Sequence, residues 1–473
     1  MPPRDRFDLM LRALLVGSLI ALLTACGAPV PLLEQIQASG ELKVVTSNSP
    51  TTYYLERGRR RGLEYELATR FARHLGVEAR FSILNSPEEI LAAVISGEAH
   101  IAAAGLTATR GREQRVRFSR SYQSITRQLV YREGGDRPED ILATQSGAFE
   151  VVAGSGHEER LRELQQQLPG LEWTASSGLT SSELMALVYE ELIDYTMANS
   201  NEVALIRRYH PELKVALDLS QPLPLAWALQ HSHDNSLFDA VQTFLRELQK
   251  SGELQRLVDR YYGYAGTLDA LETRIFRRHV VQRLPEYISL FKQAAEETGL
   301  DWQLLAAIGY QESHWNADAV SPTGVKGVMM LTRATAKELG VSARTDPAQS
   351  ILGGARYILK IRNKIPRRIA NPDRLWMTLA GYNIGFGHLE DARILTQRHG
   401  DDPDSWLDVR KYLPLLSRKK YYESLKHGRA RGGEPVAYVD NIRSYQDLLA
   451  WELDRNGEPL PSDESDQPEG CGG

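Results

Sequence analysis

The sequence predicts two folded parts of different class in one chain, an α/β region followed by an all-α region. Three observations lead there. The 473 residues exceed what one hydrophobic core ordinarily organises. Short apolar strands alternate with amphipathic helices through about residues 40–264. From about 268 to 455 the apolar residues keep helical spacing, with no convincing strand run. Composition fits such a chain, with 42% hydrophobic and 25% charged residues. The formal net charge of −5 gives no reason to expect nucleic acid as a partner, and the cluster Arg59, Arg60 and Arg61 reads as solvated surface.

Residues 1–26 read as a targeting segment rather than fold. Arg4, Arg6 and Arg12 precede an apolar run at 13–23, short for a bilayer span and of the length of a signal h-region. The run ends in LTAC, with Cys26 followed by Gly27. That ending reads as an ordinary cleaved signal or as a lipidation site. It resembles a bacterial lipobox, which implies that Cys26 becomes the lipidated first residue of the mature chain. A residue other than Asp after the cysteine then implies an anchor in the outer membrane, facing the periplasm. The second cysteine is Cys471, in a tail at 456–473 rich in Pro, Ser, Asp, Glu and Gly that is expected to be disordered. A disulfide between the two is not expected. No Cys/His cluster has metal-ligand spacing, so neither metal nor cofactor is expected.

In the α/β region, ELKVVTS and VEARFSIL read as strands. Between them GLEYELATRFARHLG reads as a helix, with Leu63, Leu67, Phe71 and Leu75 on one face and Gly76 at its end. PEEILAAVISGEAHIAAAGL reads as helix, turn and buried strand. The rhythm predicts a mainly parallel sheet. Thr107 and Arg112 flank a strand-to-helix turn. Alone, Arg112 reads as a surface ion pair; with a hydroxyl beside it, its fork suits two carboxylate oxygens. AGSGHEERL at 153–161 begins a helix, and its free N–H groups around Ser155 can hold a second anionic group.

The stretch SGEAHIAAAGLTATRGREQRVRFSRSY at 96–122, with SGELQRLVDRYYG at 251–263, resembles the family 3 periplasmic solute-binding proteins. The resemblance implies a two-lobed periplasmic-binding-protein-like domain over 40–264, with ligand gripped between hinged lobes and lobe two running from about 129 to 223. It also implies that Thr107 and Arg112 hold a ligand carboxylate. LIDYTMAN matches the segment that ends, in amino-acid binders, in an aspartate for the α-ammonium. Here that place is Asn199, which can accept a hydrogen bond but cannot neutralise an ammonium. The expected ligand is a small wall-derived compound: a muropeptide, a peptide or an amino acid.

In the all-α region, Glu312 falls on the face of DWQLLAAIGYQESHW that carries Leu305, Ile308 and Trp315. Burial there raises a carboxyl pKa, and a glutamate at roughly 6–7 can act as a general acid near neutrality. Read alone, the position is a helix-end carboxylate reaching solvent or bonding a nearby backbone amide. ES, then GVKGVMMLT, then AGYNIG at 380–385 and RGGEPVAYVDNIRSYQDLL resemble the goose-type-lysozyme-like lytic transglycosylases, and most closely the membrane-bound lytic murein transglycosylase F group. That group joins a family 3 binding module to an all-α lysozyme-like domain, here 268–455.

The resemblance implies Glu312 as the catalytic residue, supported by Ser313, Tyr382 and Asn383. It implies a substrate cleft lined by Gly327, Met329 and Met330 of the glycine-rich loop; Tyr438 reads as another cleft tyrosine or as a packed aromatic with a satisfied hydroxyl. Met330 replaces a usual glutamine. Asp318 reads as a turn or capping residue, so no second carboxylate is expected. Trp302, Trp315, Trp376 and Trp406 read as mostly core, and of these Trp315, immediately after the motif, is the one nearest to touching sugar. The expected substrate is the peptidoglycan glycan strand, cut to 1,6-anhydromuramyl ends. The alternatives are a lysozyme-like hydrolase using water, a solute receptor with a non-catalytic wall-anchoring domain, and a transport-system binding protein.

Overall fold

The computed structural model of the chain describes residues 30–455, apart from 57, 85 and 264–267. The signal, Cys26 and the 456–473 tail lie outside the described residues.

The α/β part holds two five-stranded sheets. In the first, Glu78–Ile83, Glu41–Thr46 and Ile101–Ala102 run parallel, and Ala228–Leu229 is antiparallel to both its neighbours. In the second, Thr174–Ser176, Phe149–Val152 and Tyr195–Asn199 run parallel, and Arg127–Arg132 is antiparallel to both its neighbours. The expected mainly parallel sheet is thus two mixed sheets. The reason is the double crossing. Gln123–Ile125 pairs antiparallel with Leu223–Leu225, so the chain enters lobe two and leaves it side by side, and the strands flanking the crossing, Arg127–Arg132 and Ala228–Leu229, run against their sheets.

The predicted helix is Leu63–Leu75. It buries Leu63, Leu67 and Phe71, and ends on Gly76 at φ 76°, where a Cβ would be strained. Phe71 packs on Trp227 and Phe244 in the first lobe's core.

The all-α part is built around the helix Trp302–Ser313. Asp301 caps it, accepting from the backbone of Gln303 and Leu304. Every residue from 302 to 310 is buried. This helix is therefore a central one, buried all round from 302 to 310, rather than a surface helix with one apolar face. Helices Ile288–Thr298, Pro347–Lys364 and Glu434–Arg455 enclose it.

The last of these helices also meets lobe two. Near its C-terminus Asp447 pairs with Arg208 at 3.3 Å, and Trp451 lies against Tyr209 with centroids 6.0 Å apart. Arg277 completes the junction, donating to the Tyr209 carbonyl and to Glu452.

Candidate active site and solute cleft

Glu312 is in the last turn of the central helix, where packing gives way to an open edge. Tyr438, from the first turns of the C-terminal helix, donates its hydroxyl to Glu312 Oε1 at 2.6 Å. Burial raises the Glu312 pKa to about 7, and the Tyr438 hydrogen bond pulls against that rise. Among the described residues no second carboxylate contributes to the shift. Asp318 is exposed, and its backbone N–H is bound to Asn316 Oδ1 in a turn.

The chain leaves the helix through two successive left-handed residues, His314 at φ 52° and Trp315 at φ 55°. Trp315, read with the core tryptophans, is 1% exposed, and its indole N–H donates to the Ala306 carbonyl, which leaves it no face for sugar. The abrupt turn folds it back into the core. Among the described residues no hydrogen bond joins the Ser313 hydroxyl to the glutamate. That hydroxyl donates to the carbonyls of Gly309 and Val328, tying the helix end to the glycine-rich loop.

That loop is held from behind. Gly327 has φ 87°, and a Cβ there would sit 1.8 Å from the Arg344 carbonyl oxygen. Met329 was expected in the cleft; instead its side chain is fully buried against Gly354. Only its carbonyl is presented, accepting from the Tyr382 hydroxyl at 2.9 Å. Met330, at φ 44°, is half-buried, and Asn383 is exposed. Tyr382 stacks on Tyr438, with centroids 6.5 Å apart and planes at 16°. Glu312, Tyr438, Tyr382 and the loop carbonyls thus form one connected wall.

In the α/β part, Thr107 and Arg112 are buried together, Arg112 donating to Thr107 Oγ1 at 3.2 Å. Ser155 caps the helix Gly156–Gln165, its hydroxyl accepting from the Glu158 N–H and donating to the Val152 carbonyl. Asn199 pairs across the sheet with Arg127 and lies 3.1 Å from His157 Nε2. Burial and the neighbouring guanidinium groups of Arg127 and Arg112 lower the His157 pKa to about 4. The neutral imidazole can therefore donate to the Asn199 amide oxygen. Arg127 Nη2 and His157 Nδ1 are buried with no partner among the described residues.

Residues 42–264 match the family model for bacterial extracellular solute-binding proteins, family 3, and residues 289–404 match the transglycosylase SLT domain. The chain is 46% identical over 438 residues to membrane-bound lytic murein transglycosylase F 1 of Alkalilimnicola ehrlichii, spanning 92% of this chain and 89% of that one. It is 43% identical over 433 residues to membrane-bound lytic murein transglycosylase F of Saccharophagus degradans, spanning 91% and 86%. The chain belongs to the membrane-bound lytic murein transglycosylase F family. A crystal structure of an ArgBP mutant from T. maritima aligns with 49% of this chain and 99% of that one, at 20% identity and a TM-score of 0.44.

Two residues of this family member escaped the sequence reading. Arg127 lies between recognised motifs, and neither residue has a spacing that marks it. His157 stood in the quoted GSGHEERL, one residue past the glycine whose missing Cβ leaves room for Arg127 Nη2, 2.7 Å from the Cβ position. A histidine beside a helix N-terminus was the available signal.

Proposed function

We infer that this chain is a lytic transglycosylase of peptidoglycan, a lyase that cuts the β-1,4 bond between N-acetylmuramic acid and N-acetylglucosamine without water. The observation that carries the reading is Glu312: protonatable near neutrality, hydrogen-bonded by Tyr438, and perturbed by no second carboxylate among the described residues. Glu312 gives its proton to the glycosidic oxygen as the bond to C1 breaks, and an oxocarbenium-like state forms on the muramic ring. The carboxylate then takes the proton of the same sugar's 6-hydroxyl, whose oxygen closes on C1. The product is a 1,6-anhydromuramyl end. An intramolecular nucleophile at an effective concentration of about 10⁵ M or more makes a protein nucleophile unnecessary. In this reading Tyr382 and Ser313 position the wall of the cleft, Tyr438 tunes the acid, and Asn383, Met330 and the backbone at Gly327 and Met329 line the path of the strand.

The α/β module is read as a sensor of small wall-derived ligands. Thr107 and Arg112 take a carboxylate, with Ser155 and Asn199 facing it from lobe two. Arg112, Arg127 and a neutral His157 favour an anionic or amide-bearing fragment over a free ammonium. The relatives are named membrane-bound, and no helix among the described residues is long and apolar enough to cross a membrane. A lipid on Cys26, holding the protein to the outer membrane, meets that requirement. Cys26→Ala protein that still fractionates with membranes would remove the anchor from the reading.

Digestion of purified peptidoglycan by the mature protein and by Glu312→Gln, read by mass spectrometry, tests the activity. Muropeptides one water lighter, made only by the unmutated protein, are expected. Reducing muramic ends would identify a hydrolase. Glycan binding without product from either protein would leave a receptor.

A further inference from the structure

A buried arginine ordinarily sits on a carboxylate, because an unneutralised guanidinium is costly away from water. Among the described residues Arg112, Arg127, Arg393 and Arg443 are the buried arginines. The two in the all-α part follow the rule. Arg393 pairs with Glu390 and with Asp404, each at 2.6 Å, and Arg443 pairs with Asp440 at 3.7 Å. The two in the α/β part do not. The Arg112 side chain donates only to Thr107, to its carbonyl at 3.4 Å and its Oγ1 at 3.2 Å. The Arg127 side chain has no hydrogen-bond or ion-pair partner among the described residues, and its Nη2 is shut off from solvent. Glu159 is near enough for its charge to act on both, yet it is exposed and bonds to neither. The two cations flank the crossing between lobes. Arg112 precedes it, and Arg127 heads the strand that follows it. His157 Nε2 is engaged with the Asn199 amide oxygen, which leaves Nδ1 of the neutral ring as a buried acceptor without a donor. The cleft thus lacks two anions and one N–H. A free amino acid brings one carboxylate, and its ammonium would add a third cation to two that are already unpaired.

We propose that the α/β module takes a dicarboxylate whose nitrogen is acylated, with one carboxylate on Arg112 and Thr107, the other on Arg127, and the amide N–H on His157 Nδ1. Arg127 is then the residue that selects the second charge. The inference rests on the reading of the module as a sensor of small ligands, and it names their chemical class.

Calorimetric titration of the mature full-length protein tests it with N-acetylglutamate, N-acetylglutamine, N-acetylalanine and free glutamate, each as both enantiomers. N-acetylglutamine differs from N-acetylglutamate by one neutralised carboxylate. N-acetylglutamate is expected to bind tightest, and the others more weakly by on the order of tenfold to a hundredfold, the loss of a hydrogen bond to a charged group. In Arg127→Met the preference for N-acetylglutamate over N-acetylglutamine is expected to vanish, while N-acetylalanine binds as before. Equal affinity of the unmutated protein for N-acetylglutamate and N-acetylglutamine, or tighter binding of free glutamate, overturns the inference and leaves the module a sensor of another ligand. Binding of none of the four also overturns it. A soluble muropeptide digest then decides the underlying reading, which stands if the digest binds and falls if it does not. Melting of the ligand-free proteins gives a second readout. Removal of an unpaired buried charge in Arg127→Met is expected not to lower the melting temperature; a clear fall would show that this guanidinium serves the fold and would overturn its assignment to a ligand.

Discussion

Removing one oxygen, in Tyr438→Phe, should displace the pH profile of the reaction upward. The Tyr438 hydroxyl donates to Glu312 at 2.6 Å and is the group holding the glutamate pKa down against burial. Hydrogen bonds to charged groups are worth about 1.5–3 kcal/mol. At 1.36 kcal/mol per pKa unit, their loss raises the pKa by about 1–2 units. Glu312 must be protonated to start the reaction. The unmutated protein therefore loses activity as pH rises through about 7, and Tyr438→Phe should lose it about 1–2 units higher. The assay is kcat/KM for release of anhydro muropeptides between pH 5 and about 9.5, with the alkaline limb fitted to one ionisation. An alkaline limb that stays in place or moves to lower pH would refute this account of Glu312, whatever happens to the absolute rate. A fall in rate alone would not, because the stacked pair Tyr438 and Tyr382 also shapes the wall.

The same shift has a stability consequence. The folded pKa of about 7 lies above the ordinary 4.5, so the native state holds the proton more tightly than the unfolded chain. That contribution is fully present below about 4.5 and is lost as pH rises through about 7. Above it the buried carboxylate costs about 3 kcal/mol as an upper figure. Glu312→Gln should therefore raise the melting temperature at pH 8 while abolishing turnover, and should gain little at pH 4; an equal shift at both values would show that ionisation is not the source. Gly327→Ala places a Cβ 1.8 Å from the Arg344 carbonyl at φ 87° and should cost about 2–4 kcal/mol in denaturant unfolding, with product formation lost in step. Met329→Ala empties a buried site and should cost about 2–5 kcal/mol, whereas Met330→Ala, half-buried, should cost less than half as much and act mainly on KM. Ligand binding to the α/β module should show no histidine step between pH 5.5 and about 8 by calorimetry, because burial beside Arg127 and Arg112 already keeps His157 neutral there.

What the sequence made legible follows from how local each signal is. The helix Leu63–Leu75 was readable because its apolar spacing and its terminal glycine are written within a few turns. The two-class architecture was readable for the same reason. Sheet direction was not, because it depends on where the chain crosses between lobes, and the pairing of Gln123–Ile125 with Leu223–Leu225 joins segments about a hundred residues apart. At the site, Glu312 could be singled out from an acid amid apolar neighbours, yet the reason offered, one apolar face, was incomplete. The helix is buried on all sides over most of its length, so periodicity cannot say which side of it opens to substrate. Met329, expected in the cleft, is buried, and Trp315, the core tryptophan nearest to sugar, turns inward for the same reason. Both are adjacent to residues of the wall, but adjacency in sequence does not give direction where the backbone is left-handed, as it is at 314, 315 and 330. Their burial has a use. Trp315 bonded to Ala306, Ser313 bonded to Val328, and Met329 packed into the space left by Gly354 fix the loop carbonyls on which Tyr382 hangs. The acid is then held by Tyr438, which stacks on a Tyr382 anchored to the loop, so a glutamate at a helix end, ordinarily mobile and ionised, can be kept in one place and protonated near neutrality.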